Sequence, residues 1–347
     1  MRTLVVNPGS SSLKVTLLDD GWEVPDDGGP YDAIGVRFVH GGPRTSSVLA
    51  TAEVLDELAA VSELAPLHNP PALDAARDLV EKHPGTPVVA CFDTAFHATI
   101  PAPAATYALP REWREDWGLR RYGFHGLSHS YAARRAAEML RRPVEELRIV
   151  TCHLGGGASL CAVRGGRSVD TTMGLTPMEG LVMQTRAGSV DPGLMLHVMR
   201  SRGVSADELE RVLERESGLC GLTGTSGDIR EVRKAIRDGS AAAAAGLEVY
   251  VHRLAREVGA MAAATGGVDA LVFTGGVGEH APDVRLATVE RLAFLGLAVD
   301  ELLNDEVTDD ADISASGTTG STLVVTARED LEIEREVRAV VSGAGTS

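Results

Sequence analysis

A turn rich in small polar residues lies between two apolar segments near the start of the chain. It runs Asn7-Pro8-Gly9-Ser10-Ser11-Ser12-Leu13-Lys14, after Leu4-Val5-Val6 and before Val15-Thr16-Leu17-Leu18. In such a hairpin, backbone N–H groups and hydroxyls point at one place and can hold an anion, for which phosphate is the best candidate. A plain hairpin turn needs only Asn-Gly or Asp-Gly. Three serines and a lysine exceed that need, so the turn predicts a phosphate-binding site.

A second strand-turn-strand segment lies in the other half of the chain. The apolar run 148–153 leads into Gly155-Gly156-Gly157, and the run 160–163 returns. Ser159-Leu160 matches Ser12-Leu13 of the first hairpin, which predicts an internal repeat of one architecture.

A third glycine-rich segment follows a predicted strand. The apolar run Ala270-Leu271-Val272-Phe273-Thr274 ends in the turn Gly275–Glu279, whose glycines let a ligand approach the backbone closely. A plain strand-to-helix connection explains this turn nearly as well. Two phosphate-binding turns in separate halves nevertheless resemble the actin-like ATPase superfamily, whose equivalent glycine turn holds adenosine.

Two arginines and one aspartate lie near the ends of apolar runs. Arg37 closes the run 33–36, Arg186 lies in the segment 180–188, and Asp93 ends a predicted strand. A guanidinium matches carboxylate or phosphoryl oxygens, and strand carboxyl ends place catalytic groups in open α/β sheets. Taken singly, each arginine is better explained as a surface or ion-pair residue, and Asp93 is equally explained by a helix cap.

Three histidines lie in segments rich in glycine and proline, namely His68, His125 and His129. The last two are four residues apart and would share a helix face, as in a zinc site. The glutamate of HExxH and an obvious third ligand are missing, so the sequence disfavours zinc. A loop His125 and a His129 at a helix start are the alternative.

Apolar strand-like runs alternate with helical periodicity along the chain, which predicts an α/β protein. A buried strand is predicted at 87–92, and helices are predicted at 54–64, 128–140 and 241–264. The length of 347 residues favours two domains with ample core for both.

Charge and composition exclude several classes of partner. The net charge of −16 disfavours nucleic acid and anionic membranes. Met1-Arg2-Thr3-Leu4 leads directly into a predicted strand, so we expect no signal peptide. No apolar run approaches the ~18 residues that a membrane span requires, so we expect no such span. The cysteines form no CxxC pair, and all but the last lie in apolar runs, which predicts buried thiols in a reducing, cytoplasmic compartment. They are Cys91, Cys152, Cys161 and Cys220.

Together these segments resemble the acetate/propionate kinase family of the actin-like superfamily, from Met1 to about Val340. The matching motifs are specific and occur in order. They are NxGSSSxK at 7–14, RxVHGG at 37–42, LHNPP at 67–71, FDTAFH at 92–97, YGFHGxSH at 122–129, TMGLTPxEG at 172–180, TRxGxxDP at 185–192, FTGGxGE at 273–279, and Arg328-Glu329-Asp330-Leu331 for the family's NEEL.

The resemblance implies duplicated actin-like, ribonuclease H-like α/β domains with a nucleotide cleft between them. The first would comprise residues 1–94 and 330–347, and the second residues 95–329. The implied activity is that of a reversible ATP-dependent kinase that converts acetate to acetyl phosphate and ADP by direct in-line transfer. Mg²⁺ is the implied metal, with Mn²⁺ as a substitute, and the implied assembly is a cytoplasmic homodimer. A propionate kinase of the same family and a non-catalytic nucleotide-binding module stay open as alternatives.

The resemblance also implies roles for individual residues. The catalytic positions would be Asn7, Arg37, Asp93, His125, Arg186 and Glu329. Three of them would serve the metal, partly through water, namely Asn7, Asp93 and Glu329. The acyl substrate would be bound by Arg37, Val39, Leu67, Phe124 and Pro177. The nucleotide would be bound by Ser10, Ser12, Lys14, His153, Gly155, Gly156, Gly157, Asp228, Ile229, Arg230, Gly275, Gly276, Val277, Gly278 and Glu279.

These roles agree with the chemistry of the implied reaction. In-line phosphoryl transfer needs positioning and neutralisation of the charge on three equatorial oxygens, which Arg37, Arg186 and His125 would supply. Acetate is already ionised near neutral pH, so no general base is required. Asp93 is therefore interpreted as a metal and positioning group.

Three features depart from the family pattern. Gly156 replaces the asparagine of the family's GNG turn, which removes a side-chain contact to phosphate. Gln184 replaces a glycine before Thr-Arg, and we expect it to crowd the loop of Arg186. The segment between Lys14 and Arg37 is several dozen residues shorter than in most members. The catalytic set survives all three, which favours an active enzyme with altered rate, nucleotide preference or oligomer contacts.

Overall fold

The computed structural model describes residues 1–8, 13–66 and 68–343. The chain divides into two compact units. The first unit comprises Met1–Ile100, Tyr122–Tyr131 and the chain from Arg328 onward. The second comprises Pro101–Arg121 and Ala132–Ala327. The domain limits inferred from the sequence, at residues 94 and 329, stay a prediction.

Strands and helices alternate along the chain. The strands are β1 Arg2–Pro8, β2 Leu13–Asp19, β3 Trp22–Val24, β4 Ala33–Phe38, β5 Val48–Leu49, β6 Val88–Phe92, β7 Arg148–Leu154, β8 Ala158–Arg164, β9 Arg167–Thr171, β10 Ala270–Thr274, β11 Ala311–Asp312 and β12 Ser321–Val324. The helices are α1 Ala52–Ala60, α2 Asn69–Lys82, α3 Ala102–Ala105, α4 Arg111–Glu115, α5 Gly126–Leu140, α6 Pro192–Arg202, α7 Ala206–Arg215, α8 Gly218–Thr223, α9 Ile229–Arg237, α10 Ala241–Thr265, α11 Gly275–His280, α12 Pro282–Glu290, α13 Glu301–Glu306 and α14 Glu329–Val341. Short 3₁₀ turns lie at Ser62–Leu64, Ala95–Thr99, Val144–Glu146 and Ala293–Leu295.

Three parallel strands, β1, β4 and β6, form the centre of the sheet in the first unit. β1 also pairs antiparallel with β2, β2 with β3, and the short β5 with β6. The strand order is β3-β2-β1-β4-β6-β5. Because helices cover both faces of parallel strands, such strands have nearly continuous apolar sequences. That is the pattern of these three, whose residues are mostly buried.

Helices pack on both faces of this first sheet. Alternate residues of a strand point to opposite faces. Leu4 and Val6 therefore join the core cluster under α1 and α2, whereas Val5 joins the cluster that contains Ile333 of α14. α14 approaches β4 so closely that a Cβ on Gly35 would lie 2.5 Å from the Cγ2 of Ile333. This contact fixes α14 against the strands whose ends carry the site residues described below.

The second unit repeats the strand order of the first. Its sheet runs β9-β8-β7-β10-β12-β11. β7, β8 and β9 form an antiparallel meander, β7 is parallel to β10 and β10 to β12, and the short β11 is antiparallel to β12. Each of these pairings has its counterpart in the first sheet. The α/β prediction is confirmed, and the repeat inferred from two hairpins is present as a repeated topology.

The longest helix, α10, packs against β7, β8 and β9 of the second sheet. The hydroxyl of Ser240 accepts a hydrogen bond from the backbone N–H of Ala243, and Gly266 ends the helix in the left-handed conformation. The predicted helix 241–264 is confirmed. The predicted helix 54–64 ends earlier, at Ala60, and continues as a 3₁₀ turn.

Residues 275–279 form the helix α11 rather than a turn, so the alternative of a strand-to-helix connection is confirmed. Gly275 has a φ of +78°, and a Cβ there would lie 2.8 Å from the carbonyl oxygen of Leu154, so glycine is required at the helix entry. The buried Arg285 Nη1 donates to the carbonyl oxygens of Gly278 and Glu279, each at 2.8 Å. These tertiary contacts outweigh the poor helix propensity of glycine.

The cysteines lie as predicted. Cys91, Cys152 and Cys161 are buried, and Cys220 is partly exposed. Burial raises the pKa of the Cys152 thiol well above its ordinary value. Among the helices in the described part of the chain, none is long and apolar enough to span a membrane.

Candidate functional site

Three strand ends of the first unit bring Asn7, Arg37 and Asp93 together. Asn7 lies next to the last residue of β1, Arg37 next to the last residue of β4, and Asp93 directly after β6. The three strands are parallel, so their carboxyl ends share one edge of the sheet. In the hairpin, Asn7 lies opposite Lys14, whose side chain is exposed.

The guanidinium of Arg37 is the centre of this group. Its Nε donates to Asp93 Oδ1 at 3.0 Å and its Nη2 to Asp93 Oδ2 at 2.6 Å. Its Nη1 donates to Asn7 Oδ1 at 3.0 Å. The Asp93 side chain is 1% exposed, whereas that of Arg37 is 15% exposed. The pair is therefore a two-bond ion pair in which Asp93 is buried and Arg37 keeps a small exposed fraction.

Glu329 joins the same network from the first turn of α14. The Nδ2 of Asn7 donates to Glu329 Oε2 at 3.3 Å. Burial opposes the charge on Arg37, but the carboxylates of Asp93 and Glu329 more than offset it and raise the pKa of Arg37. The guanidinium therefore stays protonated, with two carboxylates beside it.

His125 lies in a strained turn beside Asp93. Its φ of +57° falls in the left-handed region that non-glycine residues seldom adopt. The next residue, Gly126, donates its backbone N–H to the carbonyl oxygen of Asp93 at 2.9 Å. A Cβ on Gly126 would lie 2.1 Å from that oxygen, so the contact requires glycine. The start of α5 is thereby joined to the end of β6.

Sequence reasoning assigned no role to His40 and Asn69, which form a buried pair behind this edge. The Nδ2 of Asn69 donates to the carbonyl oxygen of His40 at 2.9 Å, and the N–H of His40 donates to Asn69 Oδ1 at 3.1 Å. Burial lowers the pKa of His40 to about 4, so its ring is neutral. The ring packs on Tyr122 and Phe124. The signal was available, since both residues lie inside the RxVHGG and LHNPP motifs.

The residues predicted to hold the acyl group fall in different parts of the structure. Val39 and Phe124 are buried in the first unit, and Pro177 is buried in the second. Leu67 lies outside the described residues, as do Ser10 and Ser12 of the predicted phosphate-binding turn.

The donor chemistry of the first-unit group fits a magnesium ion. Mg²⁺ prefers oxygen ligands, and proteins usually supply one or two carboxylates while water and substrate phosphates complete the octahedron. Asp93 and Glu329 supply two carboxylates, and Asn7 supplies an amide oxygen. In the part of the chain that the structure describes, His, Cys, Asp and Glu side chains form no group of three that could hold a metal. The predicted magnesium ligands include only two side chains of these types, Asp93 and Glu329, with the amide of Asn7 as the third. They are therefore not a group of three in that sense.

In the second unit, Arg186 lies in a loop fixed to the start of α8. The N–H of Ser217 donates to the carbonyl oxygen of Thr185 at 3.0 Å, and the N–H of Cys220 donates to that of Gln184 at 2.9 Å. These bonds hold the backbone on both sides of the arginine.

The guanidinium of Arg186 bonds to a backbone carbonyl group. Its Nη1 donates to the carbonyl oxygen of Pro177 at 3.1 Å. Within the described residues, no carboxylate oxygen lies within 4.0 Å of Arg186. Burial lowers the pKa of Arg186, and the more distant Glu214 opposes that effect. A half-buried cation without a carboxylate is a favourable place for an anionic ligand.

A cavity of about 320 Å³ in the second unit gathers many of the residues predicted to bind nucleotide. Its lining includes Gly155, Gly156, Asp228, Ile229, Arg230, Gly276 and Val277. The remaining lining residues are Gln184, Leu219, Gly227, Arg233, Tyr250 and His280. Apolar walls with a few polar groups are typical of small-molecule sites.

One wall of the cavity is the start of α9. Asp228 caps this helix and accepts hydrogen bonds from the backbone N–H and the Nε of Arg230. The Arg230 side chain lowers the pKa of Asp228 to about 2. Arg233 lies one turn after Ile229 on the same helix face, and this spacing was the signal that could have identified it.

Several predicted nucleotide residues do not line this cavity, namely His153, Gly157, Gly275, Gly278 and Glu279. Glu279 instead accepts a hydrogen bond at Oε1 from the backbone N–H of Ala327, at 3.0 Å. Its carboxylate therefore has a structural partner. Gln184 lines the cavity, although the sequence identified it only as a departure from a family pattern.

Comparisons with known proteins agree on one family. A family model described as the acetokinase family matches residues 22–335. An acetate kinase from Synechococcus sp. is 50% identical over 311 residues, which cover 89% of this chain and 77% of that protein. The crystal structure of Porphyromonas gingivalis acetate kinase matches with a TM-score of 0.91 at 34% identity, covering 98% of this chain and 99% of that one. A propionate kinase from Francisella tularensis matches with a TM-score of 0.90 at 34% identity and the same coverage.

Proposed function

The chain belongs to the acetokinase family, and on that premise we propose that it transfers the γ-phosphoryl group of ATP reversibly to acetate, giving acetyl phosphate and ADP. One observation carries the proposal. Asn7, Arg37, Asp93 and Glu329, all inferred as catalytic from the motifs, form one hydrogen-bonded network at a sheet edge. A module that only binds nucleotide does not need this network, which disfavours the non-catalytic alternative.

The network supplies positioning and charge rather than a general base. Acetate carries its negative charge already, so its oxygen attacks the γ-phosphorus in line and ADP leaves without a proton transfer from the acceptor. The protonated Arg37 binds anionic oxygens, while Asp93 fixes the plane of its guanidinium. By the family resemblance, Arg186 of the second unit is the second cation proposed for the phosphoryl oxygens, and no carboxylate among the described residues pairs with it. His125 adds a further donor from its strained turn.

Asn7, Asp93 and Glu329 would hold Mg²⁺, partly through water, with Mn²⁺ as a substitute. When bound, the metal neutralises charge on the β- and γ-phosphate oxygens. Asp93 would serve the metal while it also accepts two hydrogen bonds from Arg37.

Acetate is the proposed acyl substrate because the family resemblance assigns the acyl group to small apolar residues, and two of them, Val39 and Phe124, are buried in the first unit. A longer acid would be rejected by shape, although one methylene is worth only about 1–3 kcal/mol. Propionate is the second candidate, because a propionate kinase structure matches the fold as well as an acetate kinase structure does, with TM-scores of 0.90 and 0.91. A cytoplasmic homodimer completes the proposal, by similarity to the family.

Hydroxamate detection of acyl phosphate tests the proposal. The purified protein is incubated with ATP, Mg²⁺ and hydroxylamine, and with acetate, propionate or butyrate in parallel. We expect the highest kcat/KM with acetate, a lower value with propionate and a poor value with butyrate. The same protein with Arg186→Ala serves as the inactive comparison, and Arg111→Ala, an exposed arginine of α4, as the matched control. If no acyl hydroxamate forms from any acid, the kinase assignment is wrong.

A further inference from the structure

The glycine turn of the second-unit cavity offers no side chain to a ligand. Gly155 and Gly156 both line the cavity, and the N–H of Gly155 already donates to the carbonyl oxygen of Gly157 at 2.9 Å. A phosphate beside this turn must therefore find its side-chain hydrogen bonds on another element.

Gln184 lies directly across from Gly156. Its backbone N–H donates to the carbonyl oxygen of Gly156 at 3.2 Å. A Cβ built on Gly156 would lie 3.2 Å from the Oε1 of Gln184. The Nε2 of Gln184 donates to the carbonyl oxygen of Ser226 at 3.3 Å, in the loop that leads into α9. The amide thus spans the space between the glycine turn and the opposite wall of the cavity.

We propose that Gln184 binds a phosphate group of the nucleotide in place of the side chain that the glycine turn lacks. This inference rests on the proposed function, because it takes the cavity to be the nucleotide site. An amide nitrogen carries two hydrogens, and one of those on Nε2 goes to Ser226, so the second is free to donate to a phosphate oxygen. The expected crowding of the Arg186 loop by Gln184 is absent from this geometry, since the side chain turns toward Gly156 and Ser226.

In its observed conformation Gln184 leaves little space for a side chain at position 156, so side chains at the two positions partly exclude each other. The φ of Gly156 lies outside the left-handed region, so the backbone would accept another residue. The obstacle is Gln184, because a contact of 3.2 Å to a Cβ is tighter than an ordinary van der Waals contact. These are the two positions at which the chain departs from the family's turn pattern. There is therefore space for one side-chain amide beside the glycine turn, and in this chain residue 184 supplies it.

Isothermal titration of the full-length protein with ADP tests the phosphate contact. Gln184→Met keeps the length of the side chain and removes the donor, whereas Gln184→Glu keeps its shape and adds a negative charge. We expect Gln184→Met to raise the Kd for ADP about 10-fold or more, since hydrogen bonds to charged groups are among the stronger ones. Gln184→Glu should raise it further. Lys234→Met, an exposed residue of α9, is the control for loss of a distant polar group.

Adenosine, which has no phosphate, is the second ligand in these titrations. Its Kd should be the same for the wild type and Gln184→Met. Equal weakening of adenosine and ADP would overturn the phosphate assignment, as would an unchanged Kd for ADP. A wild type that binds neither ADP nor ATP would instead show that the proposed function fails, and the inference with it.

A double-mutant cycle tests the exclusion. Gly156→Asn and Gln184→Gly should each weaken ADP binding, the first by collision with Gln184 and the second by loss of the amide. The combined variant should recover a Kd within about threefold of the wild type, because a single amide again serves the cavity. If the effects of the two substitutions simply multiply, positions 156 and 184 are independent and the exclusion is wrong. The melting temperature of each variant separates binding effects from unfolding.

Discussion

Removal of the Arg37 guanidinium should reduce activity and stability by separate mechanisms. Arg37→Ala takes away the cation that we propose to contact the transferring phosphoryl group, and loss of one such electrostatic contact typically costs about 10²–10³ in kcat. The same change leaves Asp93, whose side chain is 1% exposed, without its two guanidinium bonds. Breaking a buried pair from one side costs about 3–5 kcal/mol.

A second substitution separates the two effects. In Arg37→Ala/Asp93→Asn the buried charge is gone, so most of the lost free energy of unfolding should return while activity stays low. Both variants are compared with the wild type by urea unfolding and by acetyl hydroxamate formation. Arg77→Ala, a half-exposed arginine of the same unit that pairs with Asp56, is the matched control and should change the free energy of unfolding by less than about 1 kcal/mol.

Two results would refute this reasoning. A kcat of Arg37→Ala within a few-fold of the wild type would remove Arg37 from the proposed mechanism. A double variant no more stable than Arg37→Ala would show that the buried charge of Asp93 is not the source of the destabilisation.

Three further predictions follow from the same structure. Asp93→Asn and Glu329→Gln should each raise the Mg²⁺ concentration needed for half-maximal activity, and unchanged titration curves in both would contradict the assigned metal ligands. Val39→Ala should shift kcat/KM toward propionate by the worth of a methylene, about 1–3 kcal/mol at most, whereas a wild type that uses butyrate as well as acetate would refute the pocket assignment. Burial raises the pKa of Glu336 from 4.5 to about 7. Between these pH values the folded state keeps a proton that the unfolded state loses, so the free energy of unfolding should fall as the pH rises from about 4.5 to about 7. In urea unfolding, Glu336→Gln should reduce the dependence of the free energy of unfolding on pH. An unaltered dependence would show that another group causes it.

Much of the site was predictable because its residues lie at the ends of apolar runs. Strand periodicity is a local property, so β1, β4 and β6 could be located from the sequence. The carboxyl ends of parallel strands share one edge, which placed Arg37 and Asp93 as candidates without any knowledge of the pairing. The repeated hairpins likewise predicted a repeated topology, and both sheets have it.

Hydrogen bonds between residues that are far apart in the sequence were not predictable in the same way. Arg37 and Asp93 are 56 residues apart, and Asn7 and Glu329 are 322 apart. Which oxygen receives which N–H depends on the register of β4 against β6 and on how α14 packs on Gly35. The helix α11 was unpredictable for the same reason. Its glycines disfavour a helix locally. Its carbonyl groups at Gly278 and Glu279 accept hydrogen bonds from Arg285, ten residues after the first residue of the helix.

The sequence by itself determined the α/β class, the strand ends that carry charged residues and the family motifs, because each depends on short-range periodicity or on residue identity. The tertiary structure decided which of these residues meet. Gln184 shows the difference most clearly, since the sequence marked it as an intrusion into the Arg186 loop. The fold instead places its amide over Gly156, where the missing Cβ leaves room for it. A side chain's neighbours follow from the packing of elements distant in sequence, and a single sequence position does not encode that packing.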